Sequence, residues 1–283
     1  MANGIALPRS AGLPHIATWF AAEGYNVFLF DFRHLGDSTG SPRQLVSATR
    51  QQEDYLSVYR YVRDPNQHQN LFGRRTLDPN RVVLWGWSNA GGHVLYLAGR
   101  SDIPAISAVI AIDPLCDGLG NTLYHLRKFP FGLMRIAHRI CGDLFASLMP
   151  GVGTISVAAF GPGGILSSEE AVRGARQITP EDGPQFVNSI AARYVFDMLF
   201  NRASGASVRC PIFVSWSRDG GDGLIPRKYH HVRFAEDARA AGALVDVYEH
   251  DGDHFAIHPG GCAFKETVLR QLEFLASTVG KIP

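Results

Sequence analysis

The sequence predicts an α/β fold, a mostly parallel sheet flanked by helices with a helical segment inserted near its middle. Two observations predict it. Short β-branched and aromatic runs alternate with helix-length amphipathic stretches at both ends of the chain, the pattern of strands joined by crossover helices. Between them, residues 117–205 carry no comparable strand run and are broken by Phe129-Pro130, Met149-Pro150-Gly151 and Gly161-Pro162-Gly163-Gly164. The 283 residues, 46% hydrophobic and 19% charged, suffice for one large domain or two small ones. No linker divides them. We expect a core of residues 1–116 and 206–283, with 117–205 as a helical lid.

In chain order, the spacing predicts a helix over 14–23, ended by Gly24, and a buried strand over 26–30 closing on Asp31. A long amphipathic helix follows over 44–62, stopping before Asp64-Pro65. Residues 82–85 read as a strand, 89–98 as a helix and 108–112 as a strand ending in Asp113-Pro114. After the insertion come a strand over 212–216, a helix over 227–241, a strand over 244–248 and a last helix over 264–276.

The net charge of +1, without any basic run, speaks against nucleic acid, a membrane surface or an acidic partner. Cys116, Cys141, Cys210 and Cys262 form no CxxC pair, so reduced thiols are expected rather than disulfides or zinc. The N-terminus lacks the features of a signal peptide, and no apolar run approaches the roughly 20 residues of a membrane span. A cytoplasmic protein with neither cofactor nor metal is the expectation.

The chemistry gathers at Trp85-Gly86-Trp87-Ser88-Asn89-Ala90-Gly91-Gly92, where a strand meets a helix. A serine nucleophile on such a tight turn needs small flanking residues, here Gly86 and Ala90, because the strained backbone tolerates no crowding. The helix N-terminus behind Ser88 favours the negative charge that develops during attack. A base is needed next. Among 11 histidines, His254 lies between the last strand and the last helix, with the Gly252-Asp253 turn before it and Phe255 to anchor it. His250 and His258 are rivals; His258 reads as a loop histidine, and His230 and His231 as a surface pair. The loop after 212–216 offers two acids, Asp219 at the expected distance from the strand and Asp222 at the expected distance before Pro226. The sequence favours Asp219, with Asp222 as the alternative, and geometry must choose. The oxyanion donors expected are the N–H of Asn89 and that of Ile5 in Asn3-Gly4-Ile5-Ala6, although position alone reads this segment as a frayed terminus. Asp31 and Arg33 read as an ion pair holding a loop.

Asp31-Phe32-Arg33-His34-Leu35-Gly36-Asp37-Ser38 resembles the D-x-R-x-x-G-x-S segment of α/β-hydrolases. Trp85-Gly86-Trp87-Ser88-Asn89-Ala90-Gly91-Gly92-His93-Val94 resembles the W-G-x-S-x-S-G-G-H-V elbow of one branch. Asp253-His254-Phe255-Ala256-Ile257-His258-Pro259-Gly260 is similar to that branch's G-H-F-D-I-Y-x-G, and Phe160-Gly161-Pro162-Gly163 and residues 188–193 to its lid. The branch holds bacterial α/β-hydrolases and fungal thiohydrolases and polyketide transferases. The resemblance implies an α/β-hydrolase fold and acyl transfer from an ester or thioester to water or an alcohol. Ser88, the acid after strand 212–216 and His254 then form the triad, in secondary metabolism. An apolar, polyketide-like acyl substrate is implied, with a polyketide synthase carrier as candidate partner. Leu123, Phe129 and Met134, with Tyr124, Phe131, Leu133, Phe145 and Met149 as further apolar lid residues, are expected either to line its pocket or to serve as ordinary lid packing.

Three departures stand out. Ala90 replaces a small Ser or Gly, Asp253 replaces a Gly, and the strands that precede the oxyanion loop in the family are missing ahead of Asn3-Gly4. That predicts an uncovered sheet edge, a natural seat for a homodimer. A non-catalytic ligand-binding member of the fold, or a lyase, cyclase or cofactor-free peroxidase, are the rival readings.

Overall fold

A computed structural model describes residues 1–64, 66–67, 77–128, 130–149, 153–179, 186–218, 222–225 and 231–280. Helix α1 (Leu13–Ala22) starts with Pro14 in its first turn and buries Leu13, Ile16 and Phe20, one helical stripe. Helix α2 (Ala48–Arg63) buries Gln51, Tyr55, Leu56, Tyr59 and Val62 on the same repeat, and the Tyr55 hydroxyl donates to Trp85 O at 2.8 Å. Strand β1 (Val83–Trp87) leads into α3 (Asn89–Ala98), then β2 (Ala108–Ile112), whose five residues are all buried.

The insertion follows β2. It comprises α4 (Gly118–Lys128), α5 (Pro130–Ser147), β3 (Ser156–Val157), α6 (Glu169–Ile178), β4 (Ile190–Ala191) and α7 (Tyr194–Leu199). Its two short strands pair antiparallel, a feature too brief to show as a hydrophobic run. The alternation then resumes with β5 (Ile212–Ser217), α8 (Arg233–Ala240), β6 (Val245–His250) and α9 (Phe264–Thr278).

The main sheet has the order β1-β2-β5-β6, and every pairing is parallel. Side chains alternate across it. Trp85 Nε1 donates to Gln271 of α9 at 2.7 Å, whereas a Cβ on neighbouring Gly86 would lie 2.3 Å from Ala90 O of α3. The sheet is therefore covered on both faces, which is why its strands read as continuous apolar runs.

The expected strand over 26–30 is absent; residues 25–32 have no assigned secondary structure. Among the described residues, isolated contacts rather than a ladder reach them. The Met1 amine donates to Phe28 O at 2.7 Å, Phe30 N–H reaches Met1 O at 3.4 Å, and Ala2 makes a parallel bridge to Gly86. The edge of β1 is thus partly covered. Below the bridge, a cavity of about 640 Å³ opens between Tyr25, Phe28 and Phe30 on one side and Val83, Leu84 and Trp85 on the other. Among the described residues no helix is long and apolar enough to cross a membrane.

Candidate active site

Ser88 sits on the β1–α3 turn with φ 58° and ψ −119°, a conformation that a non-glycine residue adopts only under strong local constraint. Three hydrogen bonds impose it. Ser88 N–H donates to Ile112 O at 2.8 Å, and Ser88 O accepts from Gly92 at 3.1 Å and Leu115 at 2.9 Å. Gly86 is required because any side chain would run into Ala90 O. Ala90 itself is fully buried, and the turn closes around its methyl group.

The N-terminal segment is not frayed. Asn3 is 2% exposed, and its Nδ2 donates to Pro8 O at 2.7 Å and Ala11 O at 2.8 Å. These bonds press Gly4 onto the serine: a Cβ there would lie 2.9 Å from Ser88 Cβ. Ile5, Ser88, Asn89 and His254 line one cavity of about 60 Å³.

His254 is buried in the β6–α9 loop, and its Nδ1 lies 2.7 Å from Asp222 Oδ2. Asp222 Oδ1 accepts from the N–H groups of Leu224 at 2.7 Å and Ile225 at 3.0 Å. Asp219, the acid favoured by spacing, lies outside the described residues; the acid that meets His254 is Asp222. Burial by itself opposes charge on both groups. The mutual attraction outweighs it, holding Asp222 below the usual carboxylate range and His254 above the usual imidazole range.

A residue the sequence reading missed ties the loops together. Glu170, in the first turn of α6, accepts from Gly223 N–H at 3.2 Å and from His254 N–H at 3.1 Å. Burial raises its carboxyl. Another missed group braces Asn89, whose Nδ2 donates to Gln51 Oε1 at 2.9 Å and whose Oδ1 accepts from Tyr194 at 3.3 Å. Neither belongs to a motif; each is joined to the site only by folding.

The other histidines separate cleanly. His250 is fully buried against Asp113, with Nε2 3.1 Å from Oδ2. His258 packs edge-on against Trp87 with centroids 4.2 Å apart, and burial pulls its pKa down to about 3. His231 is no surface residue: it stacks on Trp216, and its Nε2 lies 2.9 Å from Pro114 O. His230 lies outside the described residues. Asp31 and Arg33 do not pair with each other. Asp31 binds Arg9 at 2.8 Å, and Arg33 binds Asp54 at 2.5 Å, so each pins a different loop.

The expected acyl-pocket residues are also corrected. Leu123 is 56% and Met134 66% exposed, and neither lines the Ser88 cavity. Phe131, Phe145 and Met149 are exposed as well. Phe129 and the side chain of Leu133 lie outside the described residues. Helix α4 instead turns Asn121, Thr122 and His125 inward, so its apolar Leu119, Leu123 and Leu126 face outward. Among the described residues, one trio has ligand atoms close enough for a metal, Asp113, Asp222 and His254, all within 4.8 Å of one another. Those atoms are already engaged in hydrogen bonds to each other and to His250. Cys116 and Cys210 are buried, Cys141 and Cys262 exposed, and all four are free.

A profile of the Alpha/beta hydrolase family matches residues 8–263. The chain belongs to the α/β-hydrolase family. It is 30% identical over 282 residues to the quorum-quenching protein AidA of Acinetobacter baumannii, covering 99% of this chain and 86% of that one. It is 34% identical to the polyketide transferase grgF of a Penicillium species over 123 residues, 43% of this chain and 37% of that one. The crystal structure of GrgF superposes with a TM-score of 0.67 at 22% identity, covering 99% of this chain and 89% of that one. DcsB in complex with a substrate analogue superposes with a TM-score of 0.71 at 20% identity, covering 98% and 89%. These α/β-hydrolase relatives, thiohydrolases among them, support an enzyme.

Proposed function

We propose that this α/β-hydrolase is a serine-dependent acyl-transfer enzyme acting on an ester or thioester. One observation carries the reading. A serine at φ 58° on a strand-to-helix turn shares a buried cavity with a histidine whose Nδ1 is bonded to a buried carboxylate.

Asp222 holds the tautomer of His254 with the proton on Nδ1, leaving Nε2 to take the Ser88 hydroxyl proton as Oγ attacks the carbonyl. The oxyanion that forms is held by the backbone N–H groups of Asn89, at the start of α3, and Ile5. The imidazolium then returns its proton to the leaving alcohol or thiol. Water or an alcohol, deprotonated by His254, next releases the acyl group from Ser88.

The walls offered by Leu115, Ile165, Leu166, Val195, Met198 and Ile225 are apolar, which favours an apolar, polyketide-like acyl group carried as an ester or thioester. Relatives named as thiohydrolases and polyketide transferases favour the same class. The cavity of about 60 Å³ is far below the roughly 300–1,000 Å³ of small-molecule sites. Residues 117–205 therefore act as a lid that opens to admit substrate.

Labelling with a fluorophosphonate, with the adduct located by mass spectrometry, tests the reading without a known substrate. The expected adduct is on Ser88 and disappears in His254→Ala; Ser88→Ala lowers turnover by more than about 10³-fold without unfolding. Absence of an adduct from the folded protein would overturn it in favour of a ligand-binding member of the fold.

A further inference from the structure

The ends of β2, β5 and β6 enclose a second acid–base pair. Asp113 follows β2 directly, and His250 is the last residue of β6; both side chains are fully buried. His250 Nε2 lies 3.2 Å and 3.1 Å from the two Asp113 oxygens, and the Ser217 N–H donates to Asp113 Oδ1 at 3.1 Å. Asp113 holds φ 41°, with its N–H on Ser215 O at 2.8 Å. A carboxylate is costly at zero exposure unless it is paired and bonded. The acyl-transfer steps above make no use of it. Yet an Asp113 oxygen lies within 4.8 Å of both the Asp222 oxygen and the ring nitrogen of His254.

We propose that Asp113 is a second acid for His254, a positioning residue that acts on the imidazole by its charge while His250 anchors and partly balances it. The inference rests on His254 being the base for Ser88. At this separation, in a site shielded from water, one unit charge strongly alters the proton affinity of its neighbour.

The groups facing His254 define the field. Asp222 comes from the loop after β5, Asp113 from the end of β2 and Glu170 from α6. Asp253 precedes the base and is paired with Arg173 at 2.6 Å. His258 is kept neutral by burial. His250 answers Asp113: burial opposes its charge, but Asp113 outweighs that and raises its pKa.

The experiment is the pH dependence of fluorophosphonate labelling of Ser88, from about pH 5 to 10, in the wild type, Asp113→Asn and His250→Gln. Labelling requires neutral His254, so its rate climbs with pH through the raised imidazole pKa. Asparagine keeps an acceptor for Ser217 and removes the charge; the limb should move about one unit to lower pH. Glutamine in place of His250 keeps a donor for Asp113 and leaves the Asp113 carboxylate in place; the limb should not move to lower pH. A shift in Asp113→Asn without the same shift in His250→Gln is the signature, because a general loosening of the site would displace both limbs the same way. Should Asp113→Asn fail to fold, the double variant Asp113→Asn/His250→Gln, which replaces both buried titratable groups, is read in its place. A limb that stays where the wild type has its own once Asp113 is replaced would overturn the role of Asp113 while leaving Ser88 and His254 as they are. A wild type that takes no adduct would remove both.

Discussion

The two flanks of β1 are held by different means. On the β2 flank all five residues pair in register, from Val83↔Ala108 to Trp87↔Ile112, and Ser88 extends the ladder onto Ile112. On the other flank a single bridge joins Ala2 to Gly86, with a cavity of about 640 Å³ beneath it. Among the described residues no ladder covers β1 on this flank. Ser88 is thus clamped from the well-paired side, while the loop proposed as second oxyanion donor lies on the other. Asn3 compensates by tying that loop to Pro8 and Ala11 rather than to the sheet.

If this contrast is right, equal insults to the two flanks have unequal consequences. The largest effect belongs to Gly86→Val, which drives a side chain into Ala90 O of α3, held by the tight turn at Ser88, and cannot be absorbed there. We expect more than about 4 kcal/mol of destabilisation in denaturant titrations, with labelling of Ser88 abolished. Gly4→Ala should act the other way round. Its Cβ meets Ser88 Cβ at 2.9 Å, but the single-bridge flank can give, so labelling falls by about tenfold or more with little change in Tm. A loss of Tm as large as that of Gly86→Val would break the comparison.

Two smaller effects sharpen it. Asn3→Ala leaves Pro8 O and Ala11 O without their donor, a cost of about 1–3 kcal/mol. Hydrogen exchange should show that cost confined to residues 1–11, with the β1–β2 amides still protected. Glu170→Gln keeps an acceptor for the Gly223 and His254 N–H groups and removes only a charge. Labelling should change by about two- to fivefold, its pH limb moving to lower pH because one anion facing His254 is gone. An unmoved limb would mean that Glu170 holds the loops without acting on the base.

Most of the sheet was legible because local patterning and burial agree there. The runs at 108–112 and 212–216 are apolar throughout and became strands of nearly those bounds. The same local signal at 26–30 gave no strand: a strand needs a ladder, and among the described residues this stretch makes two backbone bonds to Met1. Ser88 and His254 were legible for a related reason: an elbow and a strand-to-helix loop announce themselves in a few consecutive residues. The acid was ambiguous because Asp219 and Asp222 share one loop with only two residues between them, and spacing along the chain does not say which one reaches His254. The apolar lid residues do not line the Ser88 cavity, because hydrophobicity alone does not say which face of a helix turns inward. In α4 the polar face turns inward and the leucines outward.

The sequence by itself determined the alternation of strands and helices, the strained turn at Ser88 and the place of His254, because each depends on residues adjacent in the chain. Only the tertiary structure decided which carboxylate meets His254, that Asn3 to Ile5 fold onto Ser88, and that Glu170, Asp113 and His250 gather near them. Those contacts join residues up to 137 positions apart, as between Asp113 and His250, and depend on backbone direction and burial that no local pattern encodes.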